Sequence, residues 1–222
     1  MEDADIDALA SLRAQTFAAR TRPAPFLAID NFLPREVHDR VLADLIACQS
    51  DFQSNRMTGR DSLVLINPQS VQPVLDAIER RFDELITKLA ALGAPVEDVT
   101  HCRLEVPTAT ATGHANFHAP HIDNDPLSGI DFVLARRVSF AWYAFQEPKA
   151  FEGGDLRLWD FAEIPSERGP WTPAATWADH PCTNNSLLVF SSSSRHEVLP
   201  VRMFQGEFAD RRFAVITAAL AS

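Results

Sequence analysis

Phe117-His118-Ala119-Pro120-His121-Ile122-Asp123 sets an imidazole and a carboxylate two residues apart, at His121 and Asp123. On a β-strand, residues i and i+2 project from the same face, so the spacing predicts that the two side chains point together. They would form two legs of a 2-His-1-carboxylate set, which holds Fe(II) and leaves coordination positions open. The third leg has to come from a distant strand. His196 is the best candidate, because Arg195-His196-Glu197-Val198-Leu199-Pro200-Val201 opens a strand just after the serine-rich turn at 191–194. Alone, the spacing is weak: with 7 His and 30 acidic residues in the chain, a chance pair is ordinary, and a core or surface histidine is the plainer reading. The order of the surrounding segments has to carry the argument.

Outward from this segment the pattern is one of short strands. Alternation over 99–106 and the β-formers Val138, Phe140, Trp142, Tyr143 and Phe145 over 137–145 read as strands. A Gly153-Gly154 turn leads into 155–159, and 186–190, 197–203 and 212–220 are further strands. The interval 161–185 contains Pro165, Gly169, Pro170, Pro173 and Pro181, and reads as a loop of ~25 residues carrying Trp171 and Trp177. Before residue 95 the signals are mostly helical. A short strand at 25–30 precedes a helix over about 34–48, with Val37, Val41, Leu42, Leu45 and Ile46 on one face. Val71, Leu75, Ile78, Phe82, Leu85, Ile86 and Leu89 then make one continuous apolar stripe, stopped by Gly93 and Pro95. The whole reads as one domain over 1–222, with helices packed on one side of a β-sandwich or barrel.

Composition narrows the function classes. The 222 residues are 46% hydrophobic and 23% charged, which suits a globular chain with a core and excludes a disordered or collagen-like one. The net charge of -10 argues against nucleic acid and anionic membranes as partners. The acidic start has no apolar signal region, no apolar run of ~18 residues suggests a membrane span, and Cys48, Cys102 and Cys182 show no paired spacing. A cytoplasmic location is the expectation. Eighteen of the 20 basic residues are Arg; Lys88 and Lys149 are the only lysines.

Taken as an ordered set, the segments are similar to the Fe(II)/2-oxoglutarate-dependent oxygenases, in particular their prolyl-4-hydroxylase-like branch. The matching text is His121-Ile122-Asp123, Arg137-Val138-Ser139-Phe140-Ala141-Trp142-Tyr143 and Phe151-Glu152-Gly153-Gly154-Asp155-Leu156. It continues with Leu188-Val189-Phe190, His196-Glu197-Val198-Leu199-Pro200-Val201 and Arg212-Phe213-Ala214-Val215. The resemblance implies a mainly β fold with flanking helices. Its core would be a double-stranded β-helix (jelly-roll or cupin-like) over 96–222, supported by a mostly helical 1–95.

It further implies His121, Asp123 and His196 as iron ligands and Arg212 as the anchor for the distal carboxylate of 2-oxoglutarate. A guanidinium can clasp a carboxylate with two parallel hydrogen bonds. Members that use Lys need it on the terminal strand, where neither Lys88 nor Lys149 lies. Three departures stand out. The family often places Ser or Thr two residues after the Arg, where this chain has Ala214, so Thr217 or another hydroxyl would have to assist. The interval from His196 to Arg212 is long. Arg211 adjoins Arg212, and only one of two strand neighbours can point inward; the following Phe213-Ala214-Val215 favours Arg212.

The implied cofactors are Fe(II), 2-oxoglutarate as co-substrate, and O2. The implied reaction hydroxylates an unactivated C–H of an amino-acid, peptidyl or small-metabolite substrate, with release of succinate and CO2. Related halogenases lack the carboxylate ligand, so Asp123 favours hydroxylation. Tyr143 is a secondary candidate for a hydrogen bond to 2-oxoglutarate, and Asn124, Trp171 and Trp177 for substrate contact. His118, three before His121, alternates off the metal face of a regular strand. Two other readings stay open: a cupin-type metalloenzyme without 2-oxoglutarate, which would lack the terminal-strand Arg, and a non-enzymatic β-sandwich binding module. The oligomeric state is not legible.

Overall fold

The computed structural model describes residues 20–55, 62–96, 99, 101–163, 172–203 and 206–221. Two short strands, β1 (Arg20–Arg22) and β2 (Phe26–Ile29), lead into helix α1 (Arg35–Ala47), which buries Val41, Leu42 and Leu45. Strands β3 (Gln53–Asn55) and β4 (Ser62–Ile66) follow. The apolar stripe at 71–89 forms two helices instead of one, α2 (Gln72–Arg80) and α3 (Phe82–Ala91), because Arg81 leaves helical geometry at φ -111°, ψ 8°. The stripe survives the break, with Val74, Leu75 and Ile78 buried on one helix and Leu85, Ile86 and Leu89 on the other. Apolar periodicity reports which residues are covered, not whether the axis runs straight.

The second half is strand-rich. It comprises β5 (Arg103–Leu104), β6 (Thr108–Thr112), β7 (His118–His121), the one-turn helix α4 (Asp131–Leu134), β8 (Arg136–Ala144) and β9 (Glu152–Gly153). It continues with β10 (Leu156–Glu163), β11 (Thr172–His180), β12 (Ser186–Ser191), β13 (His196–Val198), β14 (Val201–Arg202) and β15 (Arg212–Leu220). The expected strand at 99–106 shrinks to β5, and the segment 197–203 splits into β13 and β14 around Leu199-Pro200. Strand β6, Thr-Ala-Thr-Ala-Thr, escaped the sequence reading because it has no large apolar side chain.

The larger sheet runs β2-β12-β8-β15-β6-β4-β3, with β5 also on β15; the smaller runs β1-β10-β13-β7, with β11 also on β10. Pairings among the described residues are antiparallel throughout. Strands β2, β3 and β4 come from the first 95 residues, so that half supplies sheet as well as helical support. The interval 161–185 is not a long loop, since β11 pairs along β10 with Trp159 opposite Trp177. Pro173 within β11 disguised it; an edge strand tolerates proline because one side of its ladder is unpaired.

Side-chain alternation builds two cores. Val138, Phe140 and Trp142 of β8, Leu187 and Val189 of β12, and Phe213 and Val215 of β15 pack against the helices. The intervening Ala141, Tyr143, Leu188, Phe190 and Ala214 face the smaller sheet, against Leu156 and Leu158. Burial on both faces is why these strands read as nearly continuous apolar runs. No described helix is long and apolar enough to cross a membrane.

Candidate active site

The gap between the two sheets holds a cavity of about 340 Å³, with His121, Asp123 and His196 in its lining together with Arg212 and Tyr143. Strands β7 and β13 pair with His196 opposite His121. Asp123 lies just beyond the end of β7, in a turn, so the strand rule is not what aligns it; its backbone N–H donates to the carbonyl of Ser192 at 2.9 Å. The three ligand atoms all lie within 4.8 Å of one another. Asp123 Oδ1 is 3.4 Å from His121 Nε2 and 3.7 Å from His196 Nε2.

Each of these side chains is oriented from behind. His121 Nδ1 pairs with the carbonyl of Ala119 at 2.8 Å, and His196 Nδ1 with that of Ser194 at 2.9 Å. A carbonyl can only accept, so Nδ1 carries the proton and Nε2 presents its lone pair to the centre. Ser139 donates to Asp123 Oδ2 at 2.5 Å and meets Ser192 Oγ at 2.9 Å, and Arg136, clamped at 2.6 and 2.7 Å by Glu105, donates to the Asp123 carbonyl. Burial disfavours charge on His121, but the Asp123 carboxylate, its Oδ1 3.4 Å away, outweighs it and raises the pKa. Burial prevails at His196 and lowers it. Burial also pushes the Asp123 carboxyl up, yet His196, His121 and Ser139 together hold it below the ordinary carboxylate range. An ionised carboxylate with two imidazole nitrogens suits a divalent first-row cation such as Fe(II) and leaves room for further ligands.

Arg212, the first residue of β15, is 2% exposed. Its guanidinium lies 4.5 Å above the Tyr143 ring, and its Nε has no hydrogen-bond partner. Among the described residues no carboxylate pairs with it. A buried, unpaired guanidinium is costly unless an anion joins it, so this end of the cavity fits a carboxylate. Gly154 makes room for the side chain: at φ +72°, a Cβ there would stand 2.7 Å from Arg212 Cδ. Arg211 turns elsewhere, toward the carbonyl of Ala111 and the Phe208 ring.

The weaker candidates divide. Tyr143 is 1% exposed in the cavity wall, and burial pushes its hydroxyl up to about 12. Thr217 is displaced from the site: two-residue alternation turns it to the face opposite Arg212, and its hydroxyl donates to the Glu105 carbonyl at 2.8 Å. Thr112, opposite Arg212 in the β6–β15 register, presents a cavity-lining hydroxyl instead. Trp177 does not line the cavity. It is 48% exposed beside Trp159, with Arg157 stacked 4.6 Å from its ring, because β10 and β11 turn these positions outward. Asn124 follows the metal-facing turn without lining the cavity, and Trp171 lies outside the described residues. His118, expected off the metal face, lines the cavity with its ring 3.9 Å from that of His121, where the β7–β13 register is irregular. Burial lowers its pKa to about 4. Sequence reading missed Ser139, although a lone hydroxyl inside an apolar strand was a usable signal.

Comparisons with known proteins agree with this geometry. Residues 107–217 match the model of the 2OG-Fe(II) oxygenase superfamily. The chain is 31% identical over 206 residues to an uncharacterized PKHD-type hydroxylase of Synechocystis sp., covering 87% of this chain but 62% of that protein. The fold is similar to that of a Pseudomonas putida prolyl-4-hydroxylase (TM-score 0.57, 19% identity, 90% of this chain and 94% of the other). It is also similar to a prolyl hydroxylase of Trichoplax adhaerens in complex with a hypoxia-inducible-factor peptide fragment (TM-score 0.58, 17% identity, 100% and 94%).

Proposed function

The chain belongs to the 2OG-Fe(II) oxygenase superfamily, with the double-stranded β-helix of its prolyl-4-hydroxylase-like members, and on that premise we propose that it is a hydroxylase using Fe(II), 2-oxoglutarate and O2. The substrate is an amino-acid, peptidyl or small-metabolite group with an unactivated C–H, and succinate and CO2 are the co-products. The observation that carries this reading is the buried Arg212, with its free Nε, in the same cavity as the His121, Asp123 and His196 ligand set. A cupin-type enzyme without 2-oxoglutarate has no use for such a residue.

When bound, the iron and 2-oxoglutarate together supply the oxidant, which no side chain can provide. His121, Asp123 and His196 hold the metal on one side of the cavity. Arg212 takes the distal carboxylate, Tyr143 lies against the guanidinium, and the apolar walls Leu156, Phe190 and Val198 keep water from the reacting centre. Asp123 stays ionised, and so occupies the position that a halide would need. A peptidyl substrate gains support from the Trichoplax neighbour, whose structure holds a peptide fragment.

The deciding experiment adds Fe(II) and then 2-oxoglutarate anaerobically, followed by O2 in a succinate-release screen against amino acids, capped peptides and small metabolites. A visible charge-transfer band and substrate-dependent succinate are expected, and both should vanish in His121→Ala and His196→Ala. Absence of the band in the unmodified protein would overturn the reading.

A further inference from the structure

The cavity is closed at one end and open at the other, and the registers of the larger sheet give its direction. At the closed end Arg212 stands opposite Thr112, and both are buried, as is Ser62 at the start of β4. Two residues along, Ala214 pairs with Tyr143 on one side and Thr110 on the other, and Thr110 with Val64. Two residues further, Ile216 stands between Ala141 and Thr108, and Thr108 opposite Ile66. Directly paired residues share a face of the sheet. Ala141, Ile216, Thr108 and Ile66 therefore make one row across β8, β15, β6 and β4. This row is the mouth: Ile216 is 39% exposed, the one exposed position in β15, and Ile66 is 70% exposed.

Single exposed apolar side chains are ordinary on a surface. These two share a row that leads out of the cavity holding the ligand set. The row begins at Ala141, two residues from Ser139, whose hydroxyl holds Asp123. With neighbouring strands ~4.8 Å apart it spans roughly 14 Å from β8 to β4, the length of about four extended residues. A group oxidised beside the ligand set would leave the rest of its molecule lying along Ile216, Thr108 and Ile66.

Charge narrows what can lie there. Apart from the histidines, the charged residues of the lining are Asp123, Arg136 and Arg212. Asp123 belongs to the ligand set, Glu105 clamps Arg136 at 2.6 and 2.7 Å, and Arg212 serves 2-oxoglutarate. The ammonium and carboxylate of a free amino acid would leave water and meet no spare opposite charge, which is costly. The amides of a peptide are neutral, and Thr108 offers them a hydroxyl between the two isoleucines.

We propose that Ile216, Thr108 and Ile66 form a specificity subsite that reads an apolar side chain flanking the oxidised residue of an extended peptide segment. The inference rests on the proposed function and narrows its substrate class. Covering an isoleucine with an apolar partner supports discrimination of at least about 10-fold over a polar one.

The test passes a pooled library of random hexapeptides, acetylated and amidated at their ends, over the full chain loaded with Mn(II) and 2-oxoglutarate, and sequences what is retained. Enrichment of Leu, Ile, Val or Phe at one position is expected, by at least about 10-fold. Ile66→Ser and Ile216→Ser should each abolish it. Ile66→Glu should redirect it to Lys or Arg, which loss of a merely structural contact would not do. Retained 2-oxoglutarate affinity identifies the variants as folded. No retention, retention without apolar enrichment, or unchanged enrichment in Ile66→Glu would overturn the proposal. Faster succinate release with a free amino acid than with the same residue inside a capped hexapeptide would overturn it too. If the unmodified Mn(II) protein binds no 2-oxoglutarate, the proposed function itself fails.

Discussion

Ser139 holds the outer oxygen of Asp123: its hydroxyl donates to Oδ2 at 2.5 Å, while Oδ1 of the same carboxylate faces the Nε2 atoms of His121 and His196. The serine divides the carboxylate into a tethered oxygen and a ligating one. Groups that orient metal ligands in this way typically matter 10- to 100-fold. Ser139→Ala is therefore expected to weaken Mn(II) or Fe(II) binding by about that factor, with Asp123→Ala losing it altogether. Metal titration by calorimetry reads both. Unchanged affinity in Ser139→Ala would mean that the turn at Asp123 holds the carboxylate unaided.

Gly154→Ala puts a methyl group 2.7 Å from Arg212 Cδ, on a backbone at φ +72°. The left-handed conformation alone costs about 1–2 kcal/mol for a non-glycine residue. The added carbon also forces the guanidinium stem aside. Weakening of 2-oxoglutarate by at least about 10-fold is expected, with metal affinity retained, because the triad lies on other strands. Retained 2-oxoglutarate binding would show that Arg212 can reach its partner from a second rotamer.

Tyr143 is the only tyrosine in the chain, so near-ultraviolet tyrosinate absorbance reports it alone. Burial raises its pKa from 10.0 to about 12. A raised folded-state pKa favours the folded protein fully below the unfolded value, and that contribution declines as pH climbs from 10 through about 12. The absorbance step is expected near the upper value and together with alkaline unfolding. Tyr143→Phe removes the step and flattens this part of the pH–stability curve. A reversible tyrosinate signal near pH 10 in folded protein would contradict the burial.

Asn185 ties the helical layer to the larger sheet. Its Oδ1 accepts from the Leu33 N–H at 3.1 Å and from Trp142 Nε1 at 3.2 Å, while Nδ2 donates to the Leu33 carbonyl at 2.8 Å. It also adopts φ 55°. Asn185→Ala orphans three buried polar groups and strains the backbone, and a loss of about 3–5 kcal/mol is expected in urea unfolding. A loss under about 1 kcal/mol would mean that water replaces the amide at little cost.

The ordered text from His121-Ile122-Asp123 to Arg212-Phe213-Ala214-Val215 was enough to place a mainly β fold and to single out four residues that the structure gathers around one cavity. Helix α1 and strands β8, β12 and β15 were legible because each carries a long apolar signal. Strand β6 was not, since its buried face carries only the small side chains of Ala109 and Ala111, and β11 was hidden behind Pro173. Thr217 and Trp177 were misplaced for different reasons: Thr217 stands five residues after Arg212, an odd offset that alternation turns to the other face, and Trp177 was read in a loop where β11 runs.

Periodicity is local. It records which positions are covered, and chemistry records which residue types are able to ligate a metal or clasp an anion; both are written along 222 residues and can be read there. Ligation needs more. His121 meets His196 across the β7–β13 pairing, Ser139 reaches Asp123 from β8, and Arg212 lies against Tyr143 and the Gly154 turn. These contacts join segments 16 to 75 residues apart. They depend on register and rotamer to within an ångström, and only the packed sheets supply that.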